Sequence, residues 1–343
     1  MSGTDHAKKK AVRARMAITG ESYTAALRAL SNIDTTVEEL TAEVERLARE
    51  QVYANPLNLF PQLVHTRDQI HLLLERRQYP RHSSQLYYLA SITCYLLADL
   101  SANLGSPKAA LEQTRASWAY AEILGHNALR TRARCMQAGI NYAEGRHLAA
   151  FELVVSAIPW ARKHQLDGAL AFYSILAGKT HDNAAALLQE TVDNYNPSAN
   201  DNDLSRIGGV FRGTRAKKLQ DTADTYLELG DFNNVEITAT EAIQLYEHGP
   251  AEDRAYGSES MARISLANAR LSRNDIDGTY DALQPVLALP SEHRLDLTVT
   301  RLKELNSHLR IHSAGKSATG LEIRDSIESF AENTAAHSLP SSS

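Results

Sequence analysis

Apolar positions recur at helical spacing along most of this chain. In the stretch TTVEELTAEVERLAREQVYANP, Val37, Leu40, Val44 and Leu47 fall at i, i+3, i+7 and i+10, one stripe of a helix that must end before Pro56. A further helix is predicted from about Leu57 to Glu75, and after SHLRIHSAGKSATG a last amphipathic helix carries Ile323, Ile327 and Phe330 on one face. Alternating β-branched residues are absent, and turn clusters return every ~15–20 residues, the rhythm of helix hairpins. The fold is read as all-α.

That rhythm makes internal repeats the next question. The clearest unit is AKKLQDTADTYLELGDFNNVEITATEAIQLYEHGP, Ala216 to Pro250, in which small Ala223, aromatic Tyr226, the turn Gly230 and Asp231, aromatic Phe232, and small Ala239 and Ala242 appear in turn. Small residues let two helices approach closely, large ones fill the space between hairpins, and glycine takes the geometry that ends the first helix. This order resembles a tetratricopeptide repeat. Weaker copies place Ala98, Gly105, Ala110 and Ser117, then Ala138, Gly145, Ala150 and Ala157, then Ala267, Asn274, Asp275, Thr279 and Val286 at equivalent positions. The turn-to-turn spacings of 40, 85 and 44 residues leave room for one degenerate hairpin around 169–195. Five hairpins, most longer than the ~34-residue norm, would form a short right-handed superhelix.

Composition adds limits. The chain has 343 residues and a net charge of −5, unevenly spread: residues 1–30 hold six Lys/Arg against two Asp/Glu, a basic tip on an acidic body. Cys94 and Cys135 are the only cysteines and form no ligand-spaced pair, as in a reducing compartment. No apolar run approaches the ~20 residues of a membrane helix. A cytoplasmic location without membrane contact is expected. The expected organisation is a short basic helical segment over 1–33, the repeat array over 34–312, a linker and C-terminal helix over 313–336, and a disordered tail over 337–343. The stretch 194–215 breaks the helical pattern and is the longest irregular segment inside the array, a length that usually marks function or mobility.

Catalytic constellations are not found. Gly208 and Gly213 have the glycine separation of a phosphate-binding loop, but Thr214 and Arg215 follow where Lys and Ser/Thr are required, and the GKS at Gly315 lacks its upstream glycine. The thirteen histidines form no HExxH and no close pair with carboxylates; His126, His147, His164 and His181 fall about one helix apart and are expected to cap or cover helix ends. No metal, no cofactor and no enzymatic activity are expected.

In tetratricopeptide arrays the first helix of each hairpin lines a concave groove. By register this places Tyr95, Asp99 and Asn103, then Arg132 and Tyr142, then Lys217 and Asp224, then Asn268 toward it, a mixture suited to the backbone and charged ends of an extended peptide. Every solenoid has such a wet inner face, so the same residues are also compatible with plain solvation.

Longer segments resemble one family. DRAYGSESMARISLANARLSRNDIDGTYDALQPVLALPSEHRLDLTVTRLKEL, IGGVFRGTRAKKLQDTADTYLELGD, LLLERRQYPRHSSQLYYLASITCYLLADLSANLG and WAYAEILGHNALRTRARCMQAGINYAEGR are similar to actinobacterial lambda-repressor-like (XRE-type) transcriptional regulators with tetratricopeptide sensor domains. The likeness runs from about Asp34 to Phe330. It implies a transcription-related regulator that binds a peptide or partner protein, reaching DNA directly or through a partner, with a homodimer compatible; the alternative is an adaptor without DNA contact.

The family's helix-turn-helix domain needs ~60–70 residues and about five helices, whereas 33 residues precede Asp34, so its DNA-reading residues have nothing to map onto. The segment ARMAITGESYTAALRAL is instead similar to the helical half of ribbon-helix-helix antitoxins, with Gly20 ending one helix and Ser22 capping the next, but without their strand. Lys8, Lys9, Lys10, Arg13 and Arg15 are candidates for phosphate contacts, which position a protein without specifying sequence.

Overall fold

The computed structural model describes residues 22–161 and 203–334, together with Lys9, Val12, Arg13, Met16, Ala17 and Gly20. The described elements are helical: α1 (Tyr23–Glu50), α2 (Pro56–Leu74), α3 (Pro80–Asn103), α4 (Pro107–Leu124), α5 (Asn127–Ala143), α6 (His147–Ala161), α7 (Asp203–Ile207), α8 (Arg215–Glu228), α9 (Phe232–His248), α10 (Tyr256–Ser272), α11 (Ile276–Leu287), α12 (Asp296–Ile311) and α13 (Ala318–Glu332). Short 3₁₀ turns intervene, among them Gly209–Phe211 and Ser291–His293. The degenerate hairpin expected around 169–195, His164 and His181, and the tail over 337–343 lie outside the described residues.

Local chemistry explains the starts and stops. Pro56, Pro80 and Pro107 each open a helix, where the missing N–H costs no hydrogen bond. Asp231 caps α9 by accepting from the Asn234 N–H at 3.2 Å, and Asp275 caps α11 through the Gly278 N–H at 2.9 Å. The first helices of four hairpins end in one way. Gly105, Gly145, Gly230 and Asn274 hold left-handed φ of 71°, 73°, 72° and 61°. The next N–H in each case reaches back five residues, Ser106 to Ser101, Arg146 to Asn141, Asp231 to Tyr226 and Asp275 to Arg270. These are the turns that the repeat register anticipates.

Five antiparallel pairs result: α3 with α4, α5 with α6, α8 with α9, α10 with α11, and α12 with α13. Their seams hold the small residues the register selects, with Ala98, Ala110, Ser117, Ala138, Ala157, Ala223, Ala239, Ala242, Ala267 and Thr279 all fully buried. First helices stack on first helices, α3 on α5 and α8 on α10 on α12, while α11 packs on α13. The apolar stripe of α1 is buried from Val37 to Leu47 against α2 and α3. Contacts of α3 with α12, and of α2 with the Ser291–His293 turn, bring the first half of the array back onto its last part.

Three features depart from the sequence reading. The helix α12 pairs with α13 as a further hairpin, where a separate linker and terminal helix are expected. Burial of Ile323, Ile327 and Phe330 in the C-terminal core drives that pairing. The two short helices expected around Gly20 are also revised, because the second is the start of α1, which runs unbroken from Tyr23 to Glu50 and across position 33. Within the irregular stretch, residues 203–214 are packed: Leu204, Ile207 and Phe211 are buried in the same core as α1 and α3, while 194–202 lie outside the described residues.

Candidate functional site

The described part of that irregular stretch lies against α1 and the first helices α3 and α5. Gly209, at φ +53°, passes so close to α1 that a Cβ there would stand 1.8 Å from the Ala48 carbonyl oxygen. Only glycine permits that approach. The approach places Phe211 beside α3 and α5, with its ring 5.2 Å from that of Tyr95 and 5.5 Å below the guanidinium carbon of Arg132. Arg132 also donates from Nη1 to the Val210 carbonyl at 2.9 Å and from Nη2 to the Phe211 carbonyl at 3.1 Å.

One turn further along α3, Asp99 Oδ2 accepts from Gln51 Nε2 at 2.7 Å and from Asn103 Nδ2 at 3.2 Å. Burial pushes the Asp99 carboxyl above its ordinary value, with the Gln51 bond and the positive charges of Lys217 and Arg132 opposing the rise. Four of the predicted groove residues, Tyr95, Asp99, Asn103 and Arg132, thus gather where α1 and the Gly209–Phe211 turn meet the hairpins.

A second group forms on α8, α10 and α12. Lys217 pairs with Asp221 and donates to Gln220 Oε1 at 2.9 Å. Gln220 in turn donates to Asp224, whose other oxygen accepts from the Ser265 hydroxyl at 2.5 Å. Asp224 is buried in the seam between α8 and α10, so it is a bridging group between helices more than an open groove residue. Burial raises its pKa, opposed by Arg301, Ser265 and Lys217 and reinforced by Asp221. Arg301 on α12 stands 3.5 Å from Glu228 and 3.3 Å from Glu304. Asn268 donates to its own helix at Ile264 and meets His308 Nδ1 at 3.3 Å. Lys217 is felt at both Asp99 and Asp224, which ties the two groups into one polar face.

Tyr142, near the end of α5, lies edge-on to His147 at 4.9 Å, and burial raises its hydroxyl pKa, reinforced by Glu228 and Glu304 and opposed by Arg301 of the second group. Of the basic N-terminal residues, Lys9 and Arg13 are exposed, while Lys8, Lys10 and Arg15 lie outside the described residues. Between them Val12 is fully buried, packed with Met16, Leu27, Ile33 and Tyr79. Gly20 ends that segment as expected, at φ +72° with its N–H on the Met16 carbonyl.

Sequence reasoning missed Gln51, Phe211, Gln220 and Arg301. A usable signal exists for Gln51, which continues the α1 stripe four residues after Leu47 with a polar group. Phe211 offers a weaker one, an aromatic two residues after a glycine pair in an otherwise polar stretch.

The chemistry open to this face is recognition by donors and acceptors. The thiols of Cys94 and Cys135 are pushed up to about 12 by burial, far from a nucleophilic thiolate. His126 caps α5 through the Leu129 N–H at 3.2 Å and faces Asp203 at 2.9 Å. Among the described residues no cluster of His, Cys, Asp or Glu is arranged to hold a metal ion, and no helix is long and apolar enough to cross a membrane. In comparison with known proteins, no family model matches this chain, and no curated protein matches it.

Proposed function

We propose that the chain is a tetratricopeptide-type regulatory protein whose concave face, built from α3, α5, α8, α10 and α12, holds an extended peptide segment of a partner protein. One observation carries this reading: the face already holds irregular backbone of its own chain, with Arg132 on two main-chain carbonyls and Tyr95 against the Phe211 ring. Carbonyl capture beside an aromatic contact is how a repeat groove takes a peptide. The second half of the face offers Lys217, Asn268, Arg301 and His308 as further donors, with Asp221 and Glu304 as acceptors for a peptide's charged ends. The repeated left-handed turns and buried alanine seams support a right-handed superhelix of hairpins.

A transcription-related role follows from the family resemblance, and burial of Val12 favours reaching DNA through the partner over direct reading by the basic segment. The test is affinity purification of full-length protein from its host, comparing wild type with Lys217→Glu and His308→Glu. A partner retained by wild type and lost from both variants, with unchanged melting curves, supports the proposal; identical partners in all three refute it. Partners that survive nuclease treatment, and no gel shift of genomic DNA that depends on Lys9 or Arg13, favour the adaptor form.

A further inference from the structure

A second polar concavity lies away from the concave face, between α4, α5 and the start of α6. Its volume is about 540 Å³, and its lining includes Lys108, Arg115, Arg134 and Arg146 against a single carboxylate, Glu144. Helical register brings these groups together. Lys108, Leu111 and Arg115 fall at i, i+3 and i+7 on α4, and Arg134, Gln137 and Asn141 fall at i, i+3 and i+7 on α5. In a chain of net charge −5, four cations around one cleft run against the general trend.

The cations are held in different ways. The guanidinium carbon of Arg134 lies 3.6 Å from the centre of the Trp118 ring, and its Nη1 donates to Gln137 Oε1 at 2.9 Å. Its Nε is buried with no hydrogen-bond partner. Arg146 is fixed by Asn141 Oδ1 at 2.7 Å and sits 3.5 Å from Glu144. Lys108 and Arg115 are exposed and make no hydrogen bond or ion pair among the described residues. Two oriented guanidinium groups and two uncommitted cations form an unfilled donor set.

We propose that this cleft binds a small organic phosphate. Guanidinium forks match phosphate oxygens two at a time, whereas one carboxylate would leave most of the four cations unanswered. The volume falls in the ~300–1,000 Å³ range of small-ligand sites. A nucleic-acid backbone would call for a longer stripe of cations following successive phosphates. The proposal is independent of the peptide-binding reading of the concave face.

The two tryptophans of the chain, Trp118 and Trp160, have ring centres 5.4 Å apart beside this cleft, so intrinsic fluorescence reports on it. Full-length protein is titrated with inorganic pyrophosphate and glucose 6-phosphate at fixed ionic strength, with glucose and sodium chloride as controls and calorimetry as a second readout. The expected result is saturable binding of both phosphates and none of glucose, weakened about tenfold by Lys108→Gln and by Arg115→Gln, substitutions at exposed positions that leave melting unchanged. The proposal is overturned by no saturation in either readout, by an equal response to chloride, or by binding that neither substitution weakens. Saturation by a phosphopeptide or an oligonucleotide alone also overturns it, in favour of a macromolecular partner.

Discussion

Arg132 grips Phe211 twice, donating from Nη2 to its carbonyl at 3.1 Å while the guanidinium lies over its ring, the carbon 5.5 Å from the centroid. Seventy-nine residues of chain separate the two positions, so this contact fastens the Gly209–Phe211 turn to the hairpins in space. Arg132→Met removes both hydrogen bonds and strands two half-buried carbonyls. The expected loss is about 3 kcal/mol or more, since each of the two hydrogen bonds to a charged donor is worth about 1.5 to 3 kcal/mol. Denaturant unfolding measures it, and hydrogen exchange across 208–214 should accelerate by about tenfold or more.

The same turn sets a contrast between two glycines. At Gly209 a Cβ would collide with the Ala48 carbonyl at 1.8 Å, whereas at Gly230 nothing lies within 4 Å and only the φ of +72° is strained. Gly230→Ala should cost about 1 kcal/mol, the left-handed penalty alone. Gly209→Ala should cost about 3 kcal/mol or more, because the turn must leave α1. Thermal melts of the two variants side by side give the comparison.

These positions also mark what was legible in the sequence. The turns at Gly105, Gly145, Gly230 and Asn274 and the buried alanines between them are local matters of backbone geometry and small-residue spacing, and both can be read without coordinates. The stripe from Val37 to Leu47 is legible for the same reason. The docking of Phe211 between Tyr95 and Arg132 is not, since no periodicity links a turn to helices more than 75 residues away. Asp224 illustrates a second limit. Register places it toward the groove, but whether it meets water or the Ser265 hydroxyl depends on how closely α8 and α10 approach. The pairing of α12 with α13 escaped because the connecting stretch HSAGKS carries no repeat-type turn at its expected place; 3₁₀ residues Ser313–Lys316 make the connection instead.

Burial of Asp224 gives a pH signature. Its folded-state pKa is raised, so the folded protein holds this proton more tightly than the unfolded chain does. By linkage, its contribution to stability is fully present below the ordinary aspartate value of 3.8 and is lost as pH rises through the elevated folded value. Asn at this position keeps an acceptor for Ser265 and cannot ionise. The melting temperature of Asp224→Asn relative to wild type should therefore increase as pH is raised from about 4 to about 8. A difference that shrinks over that window would contradict the assignment.

The N-terminal segment is anchored by Val12, fully buried with Met16, Leu27, Ile33 and Tyr79. Val12→Asp buries a carboxylate there and should release the segment at a cost of about 2 kcal/mol or more. Limited proteolysis should cut ahead of α1 in the variant and spare wild type, while exchange in α8 to α13 stays unchanged.

Cross-linking from the proposed groove tests the central claim most directly. His308 is an exposed residue beside Asn268 on the proposed peptide path, and Asp281 is exposed on α11, a second helix of its hairpin. Each is replaced by a photo-reactive phenylalanine derivative in full-length protein within its host. The account predicts a discrete cross-link to a partner polypeptide from position 308 and none to that partner from position 281. Equal products from both positions, or none from position 308, would contradict it.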